Sequence, residues 1–184
     1  MSNSTTKESN LIQTASLQGY FFDQLNSYNE KSTRPLPKEA IFYSSLVMDK
    51  MGASCEYFEM SEGKVREKIL GTKLLEASKL TPEKKKRVYQ DIGDTALLLC
   101  GYFSQSLNQK IVDESYYQEL GVQAYNSLNN IVPEVYDVNS FFRKFSLSFT
   151  RITQLMSVVS QKLMANDPHE NLLIIVDRNK IKAS

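Results

Sequence analysis

Apolar residues along this chain recur at helical spacing far more often than they alternate. From Asn10 onward Leu11, Ile12, Ala15, Leu17, Phe21, Phe22 and Leu25 follow an approximately helical pattern, weakened at Gly19, with an exit over 26–33. Pro35 and Pro37 mark a turn, and Pro37 suits the first residue of a second helix that runs to about Met51 and is closed by Gly52. That helix places Ile41, Ser45 and Met48 on one face and Phe42, Leu46 and Asp49 on the next. Residues 55–63 read as a loop or a short helix, and Lys64 to Leu80 as a third helix with Val65, Ile69, Leu70, Leu74 and Ala77 inward. Thr81-Pro82-Glu83-Lys84 has the form of a helix start, with a threonine cap, proline in the first turn and an acid where the helix dipole favours it.

The fourth helix so begun extends to about Phe103 through Val88, Ile92, Ala96 and Leu99, and its second half, Ala-Leu-Leu-Leu-Cys at 96–100, is apolar all round. A helix apolar on every side belongs in the centre of a fold. Asp113 or Ser115 can cap a fifth helix with Tyr117, Leu120, Gly121, Ala124, Tyr125 and Leu128 on one face, before Pro133 breaks it. Phe141, Phe145, Phe149, Ile152, Met156, Val159 and Leu163 then alternate spacings of four and three over about six turns. Such a seam is either a core helix or a dimer interface.

The ends differ from the middle. Residues 1–9 are polar and predict a disordered lead-in, 10–165 the helical domain, and 166–184 a short appended tail. The tail opens on the breaker around Pro168, carries the compact run Leu172 to Val176 and ends basic; it suits a strand, a last helical turn or a segment that orders on a partner. The expected fold is all-α, a single-domain irregular bundle of about six helices.

Composition narrows the chemistry. The chain has 184 residues with 7 Gly and 5 Pro, which favours long helices over many short strands, and a net charge of +1 that provides no global field for nucleic acid or an anionic membrane. No stretch approaches the roughly 18 apolar residues of a membrane span. Cys55 and Cys100 lack CxxC spacing and no secretory leader pattern precedes them, which predicts a reducing cytoplasm. The single histidine, His169, leaves too few ligands for a di-iron or structural zinc site, so neither metal nor cofactor is expected. Cys100 reads as a core thiol of raised pKa, and Cys55 sits beside Glu56 and Glu59, whose charges disfavour a thiolate. GxxxxGK[ST] and GxGxxG phosphate loops are both absent.

Several constellations remain. Gly93, Ala96, Cys100 and Gly101 put small residues on one flank of the fourth helix, for close packing or a cavity. Asp91 and Asp94 stand three apart, and Asp94, in an apolar helix, needs a partner if buried. With Tyr102, Tyr117 and Tyr125 it forms the candidate ligand pocket between the fourth and fifth helices. Lys84, Lys85, Lys86 and Arg87 form a candidate basic patch, extended by Arg66, Lys68, Lys73 and Lys79. It suits a solvated face better than nucleic-acid or acidic-partner binding; no aromatic RNA-binding signature accompanies it, and nucleic acid is not the expected partner.

The segment Ile92 to Phe103, I-G-D-T-A-L-L-L-C-G-Y-F, with Tyr116-Tyr117-x-x-x-Gly121-x-x-Ala124-Tyr125, resembles the core of a family of uncharacterised bacterial cytoplasmic proteins. Phe42-Tyr43-x-x-x-Val47 and Arg66 to Ala77 are also similar, so the resemblance spans about Gly19 to Leu128. It implies a compact helical bacterial protein and transfers no catalytic residue. The expected function is that of a non-enzymatic cytoplasmic interaction or regulatory protein whose partner is another protein or a second copy of itself, met through Phe141, Phe145, Phe149, Ile152, Met156, Val159 and Leu163. The alternative is a small-molecule sensor using the pocket of Asp94, Tyr102, Tyr117 and Tyr125.

Overall fold

The computed structural model describes residues 11–14, 16–50, 58–61, 64–67, 70–104, 114–165 and 173–176. Among them are seven helices: α1 (Leu17–Asn29), α2 (Lys38–Asp49), α3 (Leu70–Ala77), α4 (Pro82–Gly101), α5 (Glu114–Asn129), α6 (Phe141–Leu147) and α7 (Phe149–Ala165). Six short strands pair in twos: β1 (Leu11–Thr14) runs parallel to β6 (Leu173–Val176), and β2 (Phe58–Ser61) and β4 (Glu134–Val135) pair antiparallel with β3 (Lys64–Glu67) and β5 (Val138–Asn139). The fold is an all-α irregular bundle.

Local chemistry explains the helix ends. Ser16 has extended backbone and its Oγ accepts the Gly19 N–H at 3.0 Å, so α1 begins at Leu17. The stretch expected to open that helix, Leu11 to Thr14, is instead strand β1, tied to the Leu173–Val176 part of the tail with Leu11 opposite Leu173. Between α1 and α2, buried Asn29 bridges the backbone of Leu36, donating to its carbonyl at 3.0 Å and accepting its N–H at 2.7 Å. Pro37 is the cap of α2 rather than its first residue: its carbonyl accepts the N–H groups of Ala40 and Ile41. Pro82 opens α4 as expected, although the hydroxyl of Thr81 makes no capping bond.

Two expected helices are shortened. The third does not begin at Lys64, because 64–67 pair with 58–61 in register Ser61 to Lys64, and α3 starts only at Leu70. Periodicity alone does not separate a four-residue strand from a helix turn. The long helix from Phe141 is broken at Ser148, whose φ of −99° and ψ of 4° lie between the helical and extended wells. Its N–H bonds three residues back to Phe145, and its carbonyl starts α7 by accepting from Ile152. Ser146 reinforces the break, its hydroxyl bonding the carbonyl of Arg143 and Asn126 on α5. Phe145 and Phe149 stay inward on both sides of the bend, at 2% and 1% exposure.

A hairpin after Pro133 carries Tyr136 and Asp137 with φ of 54° and 57°, left-handed values unusual without glycine. The Tyr136 ring stands edge-on to Phe42 and Phe141, with centroids 5.6 and 5.4 Å away, and this packing holds the strained turn.

The core is centred on α4, where every residue from Ile92 to Gly101 is buried. The small residues of this helix serve close packing. An added Cβ at Gly93 would lie 2.7 Å from the Tyr125 ring, and one at Gly121 on α5 would lie 2.5 Å from the Phe149 ring and 3.0 Å from Ala96. Gly52, Cys55, Asp113, His169 and the ends 1–9 and 177–184 lie outside the described residues.

Gly121→Ala is therefore expected to destabilise the protein by about 1–2 kcal/mol, the overpacking cost exceeding the helix-propensity gain. Urea unfolding checks this; an unchanged or raised midpoint would mean that α5 and α7 separate freely.

Candidate functional site

Among the described residues one carboxylate lies deep in the core of the bundle. Asp94 projects from the middle of α4 at 2% exposure. Its Oδ1 accepts the Tyr43 hydroxyl at 2.6 Å and the Tyr125 hydroxyl at 2.9 Å, and its Oδ2 pairs with Lys50 Nζ at 2.6 Å. Tyr43 lies on α2 and Lys50 caps its C-terminal end, seven residues and so about two turns further on along the same side. Tyr125 comes from α5. Lys50 reaches in from the surface at the C-terminal end of α2, where a cation also complements the helix dipole, and its side chain keeps 42% exposure.

Aromatic rings enclose the cluster. Tyr43 stands edge-on to Phe141, Phe142 and Phe145 with centroids 5.6, 5.6 and 5.1 Å away, and Tyr125 stacks on Phe142 at 5.8 Å. In this setting burial raises Asp94 above its ordinary value despite Lys50 and the two phenols, which pull it down. Burial and the neighbouring carboxylate hold both phenols well above the usual tyrosine value, so each keeps its proton and donates it. Every member bonds another member, and the chemical work of the arrangement is to join α2, α4 and α5.

Of the four residues expected to share a pocket, Asp94 and Tyr125 meet and the other two lie apart. Tyr102 caps α4 beside Phe103, and Tyr117 is buried with its ring against Tyr116. Asp91 also parts from Asp94 and faces Lys73 of α3 at 3.6 Å. The residues that pattern reading missed are Tyr43 and Lys50. Their seven-residue spacing on one helix face was a signal, but it did not say which of 22 cations answers Asp94.

The expected dimer seam lies inside the chain's own core: Phe141, Phe145, Phe149, Ile152, Met156 and Val159 are all at most 3% exposed. Leu163 is half-buried. A second copy reaches these rings only if the bundle opens. In the basic patch, Lys84, Lys86 and Arg87 are exposed and Lys85 half-buried, on the first two turns of α4.

Concavities open on the surface near these elements. A pocket of ≈ 360 Å³ stands between α4, α5 and α7, lined by Cys100, Glu114 and Gln118 with the hydroxyls of Thr150, Thr153 and Ser157. It adjoins the fourth and fifth helices, as the sensor reading requires, but with a different lining. Burial and the charge of Glu114 push the Cys100 thiol up to about 12, so it is protonated near neutrality. A wider groove of ≈ 650 Å³ runs between α3 and α5 over Tyr89 and Leu120. Beside it Leu75 is 77% exposed and Tyr116 41%.

Among the described residues no group of three or more His, Cys, Asp or Glu is placed to hold a metal ion, and no helix is long and apolar enough to cross a membrane. No family model, curated protein or solved structure matches the chain.

The raised Asp94 fixes a sign for pH dependence. With its folded pKa above its ordinary value of 3.8, the folded state holds this proton more tightly, so this contribution to stability is lost as pH rises through the folded pKa. Asp94→Asn lacks the proton. The stability difference, wild type minus Asp94→Asn, should fall as pH rises through the ordinary carboxylate range and on through the raised folded pKa in urea titrations; a rising difference would show that the Lys50 pairing outweighs burial.

Proposed function

We propose that this chain is a non-enzymatic interaction protein of the bacterial cytoplasm, acting through its helical surface rather than through bond-making chemistry. The observation that carries the reading is the apolar surface of α3. Leu75 stands 77% exposed on the rim of a groove whose lining, among the described residues, carries no charged residue. Large apolar side chains that flank a concavity are what a partner covers, whereas scattered ones are ordinary surface. The Asp94 cluster supports the same reading, since its phenols hold their protons and its carboxylate is already bonded by three donors. The cytoplasmic and bacterial parts rest on two cysteines without redox spacing and on the resemblance of 92–103 and 116–125.

A second reading, a small-molecule sensor, is favoured by the ≈ 360 Å³ pocket of hydroxyl and amide groups between α4, α5 and α7. Among the described residues its lining includes Glu114 and no cation, which suits a neutral or cationic ligand rich in hydrogen-bonding groups.

A photo-crosslinking residue in place of Leu75 is expected to give one discrete protein adduct in the native cell, and the same residue at exposed Asp23 on α1 none. Equal patterns from both positions, or no adduct from either, would remove the surface of α3 as the contact. Shifts of Thr150, Thr153 and Gln118 amides by small polyols or amines in NMR spectra would favour the sensor instead.

A further inference from the structure

We infer that the α3–α5 groove is the docking site for an acidic amphipathic helix of a partner protein. This deepens the interaction reading and rests on it. Both walls of the groove are helices and among the described residues no strand lines it, so a helix laid lengthwise is the mode that fits. The α5 wall presents Tyr116, Leu120, Gln123 and Ser127, spaced four, three and four, a single stripe about 16 Å long that matches three turns of a bound helix. The floor is apolar through Leu74, Tyr89 and Leu120, and among the described residues the lining includes no charged side chain.

The rim supplies the sign of the partner's charge. Lys85 and Lys86 stand one turn before Tyr89 on α4, at spacings of four and three, and Lys79 follows Leu75 by four residues. Residues 70–87 contain six cations, Lys73, Lys79, Lys84, Lys85, Lys86 and Arg87, against Glu76 and Glu83, whereas the whole chain carries a net +1. Lys73 is answered by Asp91, but among the described residues Lys79, Lys84, Lys85, Lys86 and Arg87 form no ion pair. On the other flank α5 carries exposed Glu119. The rim is thus basic on the α3–α4 side, and the bound helix would turn its acids there and its apolar stripe to Leu74, Leu75 and Tyr89. Nucleic acid fits poorly, because the floor is uncharged and one flank is acidic.

The test uses the full chain and three labelled helical peptides of about three turns. They share one Leu stripe at i, i+3, i+4 and i+7 and differ in carrying Glu, Gln or Lys on the flanks. Fluorescence polarisation is expected to show binding of the Glu peptide at least tenfold tighter than the Gln peptide, weakening with salt, and no binding of the Lys peptide. Leu75→Ser should remove binding, and the triple variant Lys79→Glu, Lys85→Glu, Lys86→Glu should reverse the peptide order; circular dichroism melts confirm that both remain folded. Equal binding of Gln and Glu peptides, lost in Leu75→Ser, overturns the acidic partner while leaving the interaction reading in place. Binding indifferent to all four substitutions, or none at all, overturns the docking site, and a crosslinked adduct from position 75 would then still uphold an interaction of another class. Sedimentation showing a dimer that Leu75→Ser dissociates would assign the groove to a second copy of the chain, overturning the proposal.

Discussion

A carboxylate placed in the buried half of a bundle's central helix forces the rest of the fold to bring it donors. Removing an ion such as Asp94 from water costs several kcal/mol unless hydrogen bonds and an opposite charge replace the solvent. Here the replacement comes from two other helices: phenols from α2 and α5, and the ammonium of Lys50, whose stem crosses from the surface. These three bonds set the height of α2 and α5 against α4 more tightly than apolar contacts do, because a hydroxyl displaced by an ångström leaves a buried charge short of a partner.

The residue before Asp94 makes that geometry possible. The Tyr125 ring lies across Gly93, where a Cβ would sit 2.7 Å from it, and its hydroxyl then reaches the carboxylate at 2.9 Å. Gly121, on the same helix as Tyr125, allows the Phe149 ring of α7 to come as close. A polar knot and two glycine contacts therefore act together: they draw α5 against α4, and the rings of α6 and the start of α7 close the space around the tyrosines.

Against this centre α3 is lightly held. Leu70 and Ala77 are its buried residues, and Leu75 points away from the core. Few buried apolar contacts mark an element from the less stable end of a protein, which is where binding surfaces are commonly drawn from. The division of labour in this chain follows: α2, α4, α5 and α6 carry rigidity around Asp94, and the edge formed by α3 and the first turns of α4 carries exposed apolar and basic groups that the fold itself leaves unused.

Much of this was legible without coordinates. Apolar spacing marked the helices, Pro82 and the run 96–100 marked the start and the central place of α4, and the oddity of Asp94 in such a helix demanded partners. Helical periodicity stayed blind to short strands, since Leu11 to Thr14 and Lys64 to Glu67 are each little more than one helical turn long and owe their pairing to segments elsewhere in the chain. It was equally silent on whether the Phe141 to Val159 seam faces a second copy or the chain's own core, because an apolar stripe has the same spacing in both. What the sequence by itself determined was which side chains must leave water and which charge must be answered, for these follow from residue type and local period. Only the tertiary structure decided who meets whom: Tyr43 and Lys50 rather than Tyr102 and Tyr117 at Asp94, and Leu75 rather than Phe145 on the surface. Partner identity depends on distances between residues far apart in the chain, and no local pattern encodes those.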